Sequence, residues 1–485
     1  MTSVAVHPDT EPATPSPRGT SRRYRAVWRW HFYAGLIVAP VLLVLAITGS
    51  IYLFKEPFEE WRYQDVRTLA APVAGAIPLS DQIDAARRAR PGTDVMSVIP
   101  PAAPDRSTRV IMSGTETGPF AQGVSVYVDP GTGRVLGQID DSATFMRVVR
   151  TVHGELLAGT AGDRIVETAA CWALILAATG TYLWWRGPAR RRAPRTGRAR
   201  LRRVHALTGA GAGVVIVFLI LSGLPWSGFW GDGLQRVQEK TGSTSPSADS
   251  FPNTSTPPAL SGDLSQHPDA KVPWSAERLP VPPSGTDPAG GHAGHTATGG
   301  VLQQGAITVE QALAAARPVL RGCRPGDCDL KVLLPGGREG VYTVVAEPRR
   351  DPAGSRTVHV DQYNGRVLVS YGWPEYGVLA KTVEQGIAIH EGRRFGPANL
   401  VVMLGACLAL VTLTVTGVWM WWKRRPAGRV GAPARAADRR TTFGVLAIMA
   451  VLGLLFPLAG LTMLVALAAD GLLLRRVPRL RRAFG

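Results

Sequence analysis

The sequence has few cysteines and is short of acidic residues relative to basic ones. Only four cysteines occur in 485 residues. Two lie inside apolar runs and two lie close together in a polar segment, which is neither a disulfide framework nor the ligand spacing of a zinc ribbon. The sequence also has no Gly-rich phosphate loop, dinucleotide fingerprint, zinc-protease motif or nucleophile elbow. These absences exclude nucleotide-dependent enzymes and hydrolases that carry such motifs.

The basic residues are crowded into short stretches. Lysine and arginine number 54 against 36 acidic residues, for a formal net charge of +18. Eight arginines lie between Arg190 and Arg203 with no acid among them, and further clusters run Lys423 to Arg440 and Arg475 to Arg482. Each cluster adjoins a long apolar run, as cytoplasmic loops of membrane proteins do. Nucleic-acid binding would need a basic face with aromatic or polar readers on a folded domain, and the sequence offers none.

Long uncharged runs predict membrane spans, because a hydrocarbon core of about 30 Å needs roughly 20 apolar residues as helix. The predicted spans are residues 29–54, 164–186, 204–230 and 398–422. Arginines before the first span place the N-terminus in the cytoplasm, with residues 1–24 disordered there and basic cytoplasmic loops at 187–203 and 423–442. The first run is too long for a signal-peptide core, so we expect an anchor. Residues 443–474 predict a helical hairpin or two short broken helices, because Pro457 lies near the middle.

The spans carry a repeated histidine motif. In the first and third spans a glycine follows the histidine after four residues and a Ser/Thr-Gly pair begins after 17: His31, Gly35 and Thr48-Gly49, then His205, Gly209 and Ser222-Gly223. In the second and fourth, a Thr-Gly pair begins 26 residues after the histidine and a Trp-Trp pair follows: His153, Thr179-Gly180 and Trp184-Trp185, then His390, Thr416-Gly417 and Trp421-Trp422. Because no gap is needed in either comparison, the sequence predicts a parallel duplication.

The segments outside the membrane, 55–163 and 301–397, repeat as well. Each has a predicted helix, Leu79 to Arg90 or Ile307 to Leu320, followed by a β-hairpin, Val126 to Leu136 or Val358 to Leu368. Residues 231–300 include a stretch rich in Ser, Pro, Thr and Gly, which predicts a flexible linker. The fold class expected is a membrane protein, an α-helical transmembrane bundle with two extracytoplasmic α+β domains and an internal duplication.

The hairpin pattern V-x-V-D-x-x-x-G-R-V-L resembles the PepSY domain, and the His…T-G…W-W-[RK] spans resemble the PepSY-associated transmembrane family of iron-regulated membrane proteins. The resemblance runs from about Arg25 to Leu474. It implies a bacterial plasma-membrane protein with haem b, transmembrane electron transfer and reduction of an Fe(III)-siderophore. With no nicotinamide or flavin motif of its own, such a reductase would need a separate cytoplasmic electron donor.

The histidines themselves favour the same chemistry. An ionisable side chain at a membrane boundary is a functional hypothesis by default, and histidine is a common axial ligand of haem iron. By the predicted orientation, His31 and His205 lie near the cytoplasmic face and His153 and His390 near the outer face. Two histidine pairs at opposite faces would suit two bis-histidine haems.

Residues around the histidines extend this hypothesis. Gly35 and Gly209 lie one helical turn from their histidines, where a missing side chain would let a porphyrin approach the backbone. Arginines near each face could pair with haem propionates: Arg29, Arg202 and Arg203 inside, and Arg147, Arg150, Arg393 and Arg394 outside. The alternative is that the histidines are interfacial polar residues and the glycines serve helix packing.

Three other features are weaker. His292 and His295 lie in a low-complexity run, although they could bind a metal. Cys323 and Cys328 predict a local disulfide on the oxidising side. Cys171 and Cys407 are expected to be small packing residues.

We therefore expect a haem-containing membrane oxidoreductase that passes electrons to an external acceptor. Two alternatives stay open. One is a membrane-anchored PepSY binding or regulatory protein that acts on peptidases or envelope partners without redox activity. The other is a small-solute or metal transporter, which a parallel repeat would also suit.

Overall fold

The computed structural model describes residues 22–114, 123–187, 197–241, 251, 259–265, 267–285, 305–320, 327–425 and 450–469. The helices are α1 (Arg22–Tyr52), α2 (Lys55–Arg62), α3 (Gln64–Arg67), α4 (Leu79–Ala89), α5 (Phe145–Glu155), α6 (Gly159–Arg186), α7 (Gly197–Gly223), α8 (Gly228–Lys240), α9 (Val309–Ala316), α10 (Val378–His390), α11 (Pro397–Trp422) and α12 (Pro457–Ala469). The strands are β1 (Val95–Ile99), β2 (Thr108–Met112), β3 (Val124–Val128), β4 (Val135–Asp140), β5 (Cys328–Leu333), β6 (Val341–Pro348), β7 (Arg356–Asp361) and β8 (Val367–Gly372).

Four long helices correspond to the four predicted spans. Helices α1, α6, α7 and α11 are long and apolar enough to cross a membrane. At 1.5 Å per residue, helices of 26 residues or more extend about 39 Å or further, beyond the hydrocarbon core. The predicted cytoplasmic loop 187–203 is shorter in the structure, because α7 already begins at Gly197 and takes up the last arginines.

The third span ends earlier than predicted. Helix α7 stops at Gly223, a 3-10 turn covers Leu224–Trp226, and α8 follows. Carboxylate oxygens of Glu167 on α6 accept hydrogen bonds from the backbone amides of Phe229 and Trp230, each at 3.0 Å. These amides lie in the first turn of α8 and have no acceptor within the helix, so Glu167 fixes the start of α8 against α6.

The α+β segments share one antiparallel sheet. Its strand order is β4-β3-β2-β1-β5-β6-β7-β8, and β1 pairs with β5 through Ser97 opposite Leu333 and Val98 opposite Val332. Helices α4 and α9 contribute to the same apolar core. The prediction of two separate domains therefore needs correction: each half supplies four strands and a helix, but the halves meet edge to edge. Pairing the central strands leaves only β4 and β8 as sheet edges.

The predicted flexible linker 231–300 also needs correction. Its beginning belongs to α8. Residues 259–265 and 267–285 form 3-10 turns and an isolated bridge, and they bury Val272, Ala276 and Leu279 against the sheet and α10. The prediction rests on the average composition of the stretch, which is rich in Ser, Pro, Thr and Gly and gives no weight to these few apolar residues. His292 and His295 lie outside the described residues.

The last hydrophobic segment is broken where Pro457 predicts. Residues 450–455 are helical, Phe456 interrupts the helix, and α12 follows. A Cβ added to Gly460 would lie 2.6 Å from the Cα of Gly453. Seven residues of continuous helix would separate these positions by about 10 Å, so the chain folds back at the break.

The chain divides into two compact units. One comprises residues 1–37, 175–206 and 416–485, and the other comprises residues 38–174 and 207–415. The first unit contains His31 and His205. The second contains the sheet, His153 and His390.

Candidate functional site

In the first unit, His31 contacts a Thr-Gly pair on another helix. The His31 Nδ1 on α1 lies 2.8 Å from the Thr179 Oγ1 on α6. A Cβ added to Gly180 would lie 3.2 Å from the His31 Cε1, which is tighter than an ordinary contact. The hydroxyl therefore holds one ring nitrogen while the glycine makes room for the ring.

His205 has the same environment, built from the other half of the chain. Its Nδ1 on α7 lies 3.0 Å from the Thr416 Oγ1 on α11, and a Cβ at Gly417 would lie 3.6 Å from its Cε1. The His31 and His205 rings have centroids 6.5 Å apart and planes at 89°. The first unit thus brings together the two histidines that the sequence assigned to the cytoplasmic face.

The second unit repeats this arrangement twice. The His153 Nδ1 on α5 lies 3.0 Å from the Thr48 Oγ1, and the His390 Nδ1 on α10 lies 3.0 Å from the Ser222 Oγ. In both cases a Cβ on the following glycine would lie 3.2 Å from the imidazole Cε1. We call each group of one histidine, one Ser/Thr and one glycine a histidine seat.

The hydroxyls determine which ring nitrogen carries the proton. Thr48, Thr179 and Ser222 each lie 2.7 Å from the backbone carbonyl four residues earlier in their own helix. A carbonyl only accepts, and a hydroxyl has one proton to donate. The hydroxyl oxygen must therefore accept from the imidazole Nδ1–H. In these three seats the neutral imidazole has its lone pair on Nε2, the form in which histidine binds a metal.

The geometry of the His31–His205 pair fits two ligands on one metal ion. Metal–imidazole bonds of about 2.0–2.1 Å place the centroids of two rings on opposite sides of one ion roughly 6.3 Å apart. The observed 6.5 Å matches this separation. Two neutral imidazoles are the protein ligands that a bis-histidine haem would need, so His31 and His205 are the residues that would hold such a group.

The two glycines predicted to admit a porphyrin face leucines instead. A Cβ added to Gly35 would lie 3.8 Å from Leu176, and one added to Gly209 would lie 3.6 Å from Leu413. Both distances are ordinary van der Waals contacts. The contacts described for these positions are those of helix packing, and the approach of a porphyrin there stays a prediction.

The predicted propionate partners differ among themselves. Arg29 stacks on the Tyr33 ring, with its guanidinium carbon 5.1 Å from the ring centroid, and Arg203 is exposed on α7. Arg393 forms an ion pair with Glu391 at 2.7 Å, and Arg394 forms one with Asp351 at 3.0 Å.

Arg147 and Arg150, in contrast, line a cavity beside α5, the helix that carries His153. The structure therefore leaves the α5 arginines better placed for an anion than Arg393 and Arg394, whose charges are already paired.

The cysteines behave largely as expected. Cys171 and Cys407 are free and buried. Cys328 is disulfide-bonded, while its predicted partner Cys323 lies outside the described residues.

Sequence reasoning missed the role of the Ser/Thr-Gly pairs. In the sequence these pairs are visible only as markers of the repeat, at intervals of 17 and 26 residues from the histidines. That interval was itself the available signal, because a hydroxyl and a glycine kept in frame with a histidine four times indicate a shared contact. The cavity beside α5 gave no such signal, since its lining residues are scattered between Tyr52 and Asp269.

Comparison with known families agrees with this reading of the spans. The family model for the PepSY-associated TM region matches residues 28–424, a range that contains all four histidine seats. No curated protein matches the chain. With four helices able to cross a membrane, the chain is a multi-pass membrane protein. It belongs to the family described as the PepSY-associated TM region.

Proposed function

We propose that this protein is a haem-containing membrane oxidoreductase that passes electrons to an external acceptor, with an Fe(III)-siderophore as the acceptor in iron acquisition. The observation that carries the proposal is the fourfold histidine seat. Three of the seats leave the Nε2 lone pair of a neutral imidazole free to bind a metal, and the His31 and His205 rings lie 6.5 Å apart, so these two residues would hold one haem.

Each residue of a seat has a separate task. The Ser or Thr hydroxyl accepts the Nδ1–H, which holds the ring in one tautomer and one orientation and raises the basicity of Nε2. The glycine lets the imidazole lie against the helix, where a side chain would displace it. His31 and His205 would hold one haem and His153 and His390 the other. When bound, haem supplies one-electron chemistry at iron.

The arrangement suits transfer between two faces of a membrane. Helix α1 carries His31 near its beginning and Thr48, the partner of His153, near its end; α7 likewise carries His205 and Ser222. We place the N-terminus in the cytoplasm of a bacterium, because arginines surround the start of α1. A separate cytoplasmic donor would supply each electron to the His31–His205 side. The external Fe(III) chelate would accept it near the His153–His390 side and become Fe(II).

An absorption spectrum of the detergent-purified protein, before and after dithionite, tests the proposal. We expect reduced bands of low-spin b-type haem at about two haems per chain by pyridine assay. Alanine substitution of His153 or His390 should abolish reduction of the external chelate while the protein still inserts. A spectrum without haem bands, from protein expressed with ample haem, would overturn the redox assignment and favour a PepSY binding module.

A further inference from the structure

A small cavity lies in the second unit beside α5. It has a volume of about 50 Å³ and is bordered by the end of α1, by α2, α5 and the first half of the sheet. About 10–15 Å³ of such space holds one water molecule, so the cavity has room for a group the size of a carboxylate or phosphate. A porphyrin or a whole iron chelate is too large for it.

The cavity has an excess of positive charge. Five basic side chains border it, against three acidic ones: Lys55, Arg67, Arg109, Arg147 and Arg150, against Glu59, Asp141 and Asp269. Ion pairs account for three of the five. Arg109 pairs with Asp269 at 2.9 Å and with Asp141 at 3.1 Å, Lys55 lies 3.7 Å from Asp269, and Arg67 lies 3.1 Å from Glu59.

His267 does not add to this charge. Its Nδ1 accepts the backbone N–H of Asp269 at 3.2 Å, and its Nε2 lies 3.0 Å from an Asp141 carboxylate oxygen. The one ring proton is therefore on Nε2 and the imidazole is neutral. The excess charge comes from Arg147 and Arg150.

These two arginines lie one turn apart on α5. Among the residues that the structure describes, neither has a carboxylate within ion-pair distance. Burial and the nearby Arg150 guanidinium lower the pKa of Arg147. Two adjacent guanidiniums at a cavity wall repel each other, and a bound oxyanion would turn this repulsion into a paired, hydrogen-bonded arrangement.

The second half of the chain has different residues at the positions that correspond to this cavity. Arg147 lies six residues before His153, and Glu384 lies six residues before His390, so the two positions correspond in the repeat. Arg109 pairs with Tyr127 across the first hairpin strand, and Thr343 pairs with His359 across the second, so these two positions correspond as well.

Residues 259–265 and 267–285 pack over that face in the second half. The Glu384 carboxylate accepts the Ser275 N–H at 2.9 Å, and the apolar residues around Ala276 cover Tyr371. The chain thus fills the second position with its own residues and keeps the first as a basic cavity.

We propose that the cavity beside α5 binds one carboxylate or small oxyanion group through Arg147 and Arg150. This chemistry has two sources. One is a propionate of a haem held by His153, which rests on the proposed function. The other is a small anion, or the carboxylate of a larger molecule, arriving from outside the chain.

Thermal unfolding of the full-length protein in detergent tests the site. The haem-free protein is titrated with sodium acetate and with inorganic phosphate, against sodium chloride at the same ionic strength. At ten times the dissociation constant, binding should raise the Tm of a chain of this size by roughly 1–3 °C. R147Q/R150Q should lose this response. R134Q/R366Q, which removes the same charge from two exposed turn arginines, should keep it.

The anion-free Tm checks that the variant folds. Removing two mutually repelling guanidiniums should leave the Tm of R147Q/R150Q equal to or above that of the wild type. R147K/R150K keeps the charge without the bidentate fork, so it should respond to anions more weakly than the wild type but measurably.

Repeating the titration on haem-loaded protein separates the two sources. A response confined to the haem-free protein assigns the site to a propionate, and R147Q/R150Q should then also lose haem faster. A response in both forms assigns the site to an external anion. That assignment does not depend on the proposed function, because it would stand for a protein that binds no haem. No anion-specific response in the wild type, or an equal response in R147Q/R150Q, overturns the proposal.

Discussion

Replacement of Thr179 by valine tests the histidine seat. Valine has the same shape as threonine but cannot accept the His31 Nδ1–H, which now lies 2.8 Å from the Thr179 Oγ1. Leaving a buried donor without an acceptor costs about 1–3 kcal/mol. His31 is only partly buried, so we take the lower part of this range, about 1–2 kcal/mol.

Loss of this hydrogen bond bears on haem binding because the bond keeps the His31 ring proton on Nδ1. Without the hydroxyl, the ring proton is free to move to Nε2, the nitrogen that would bind iron. A penalty of about 1–2 kcal/mol corresponds to a roughly 5- to 30-fold weaker haem affinity. This range overlaps the lower part of the roughly 10- to 100-fold effect typical of changes to groups that orient metal-binding histidines.

The assay is the rate and extent of haem transfer from purified protein to an excess of a soluble haem-binding scavenger, followed by absorbance. T179V should release about one haem per chain faster than wild type while the other is retained. T179S is the matched control, because it restores the hydroxyl and because a serine, Ser222, already contacts the histidine of the His390 seat. Haem release from T179V at the wild-type rate would refute the role assigned to the hydroxyl.

Three further predictions follow from the same contacts. Gly180→Ala should lower the ratio of haem to protein, because its Cβ would lie 3.2 Å from an imidazole, whereas Gly417→Ala, at 3.6 Å, should be tolerated; equal losses in the two variants would contradict the packing argument. Burial raises the pKa of Glu384 from its usual 4.5 to about 7. Because the unfolded chain then loses this proton at lower pH than the folded one, the wild-type Tm should fall as pH rises from about 4.5 to about 7, and Glu384→Gln should reduce this slope; an unchanged slope would argue against it. Glu167→Ala should lower the Tm, since two amides of α8 lose their acceptor at about 1–3 kcal/mol each, while Glu167→Gln, which keeps one acceptor, should fall between it and the wild type.

Much of the membrane part could be predicted from the sequence. An apolar run of about 20 residues has few stable arrangements other than a helix in lipid, because every backbone amide must find its partner within the segment. The four spans, the break at Pro457 and the pairing of His31 with His205 follow from that constraint and from the repeat. The positions of Thr179 and Gly180 were visible too, but only as a spacing.

The tertiary structure decided what contacts between distant residues determine. The joining of β1 to β5 depends on two strand edges more than 200 residues apart, and neither strand's own alternation specifies its neighbour. The hydroxyl partner of each histidine, and hence the position of its ring proton, depends on how neighbouring helices are rotated. The cavity beside α5 depends on the ion pairs of Asp269 with Lys55 and Arg109, three residues that no local pattern connects. The sequence by itself determined which segments are helices and which residues recur, because both are local properties of the chain; the structure determined which of those residues touch, because burial and hydrogen bonding are settled only when distant segments pack together.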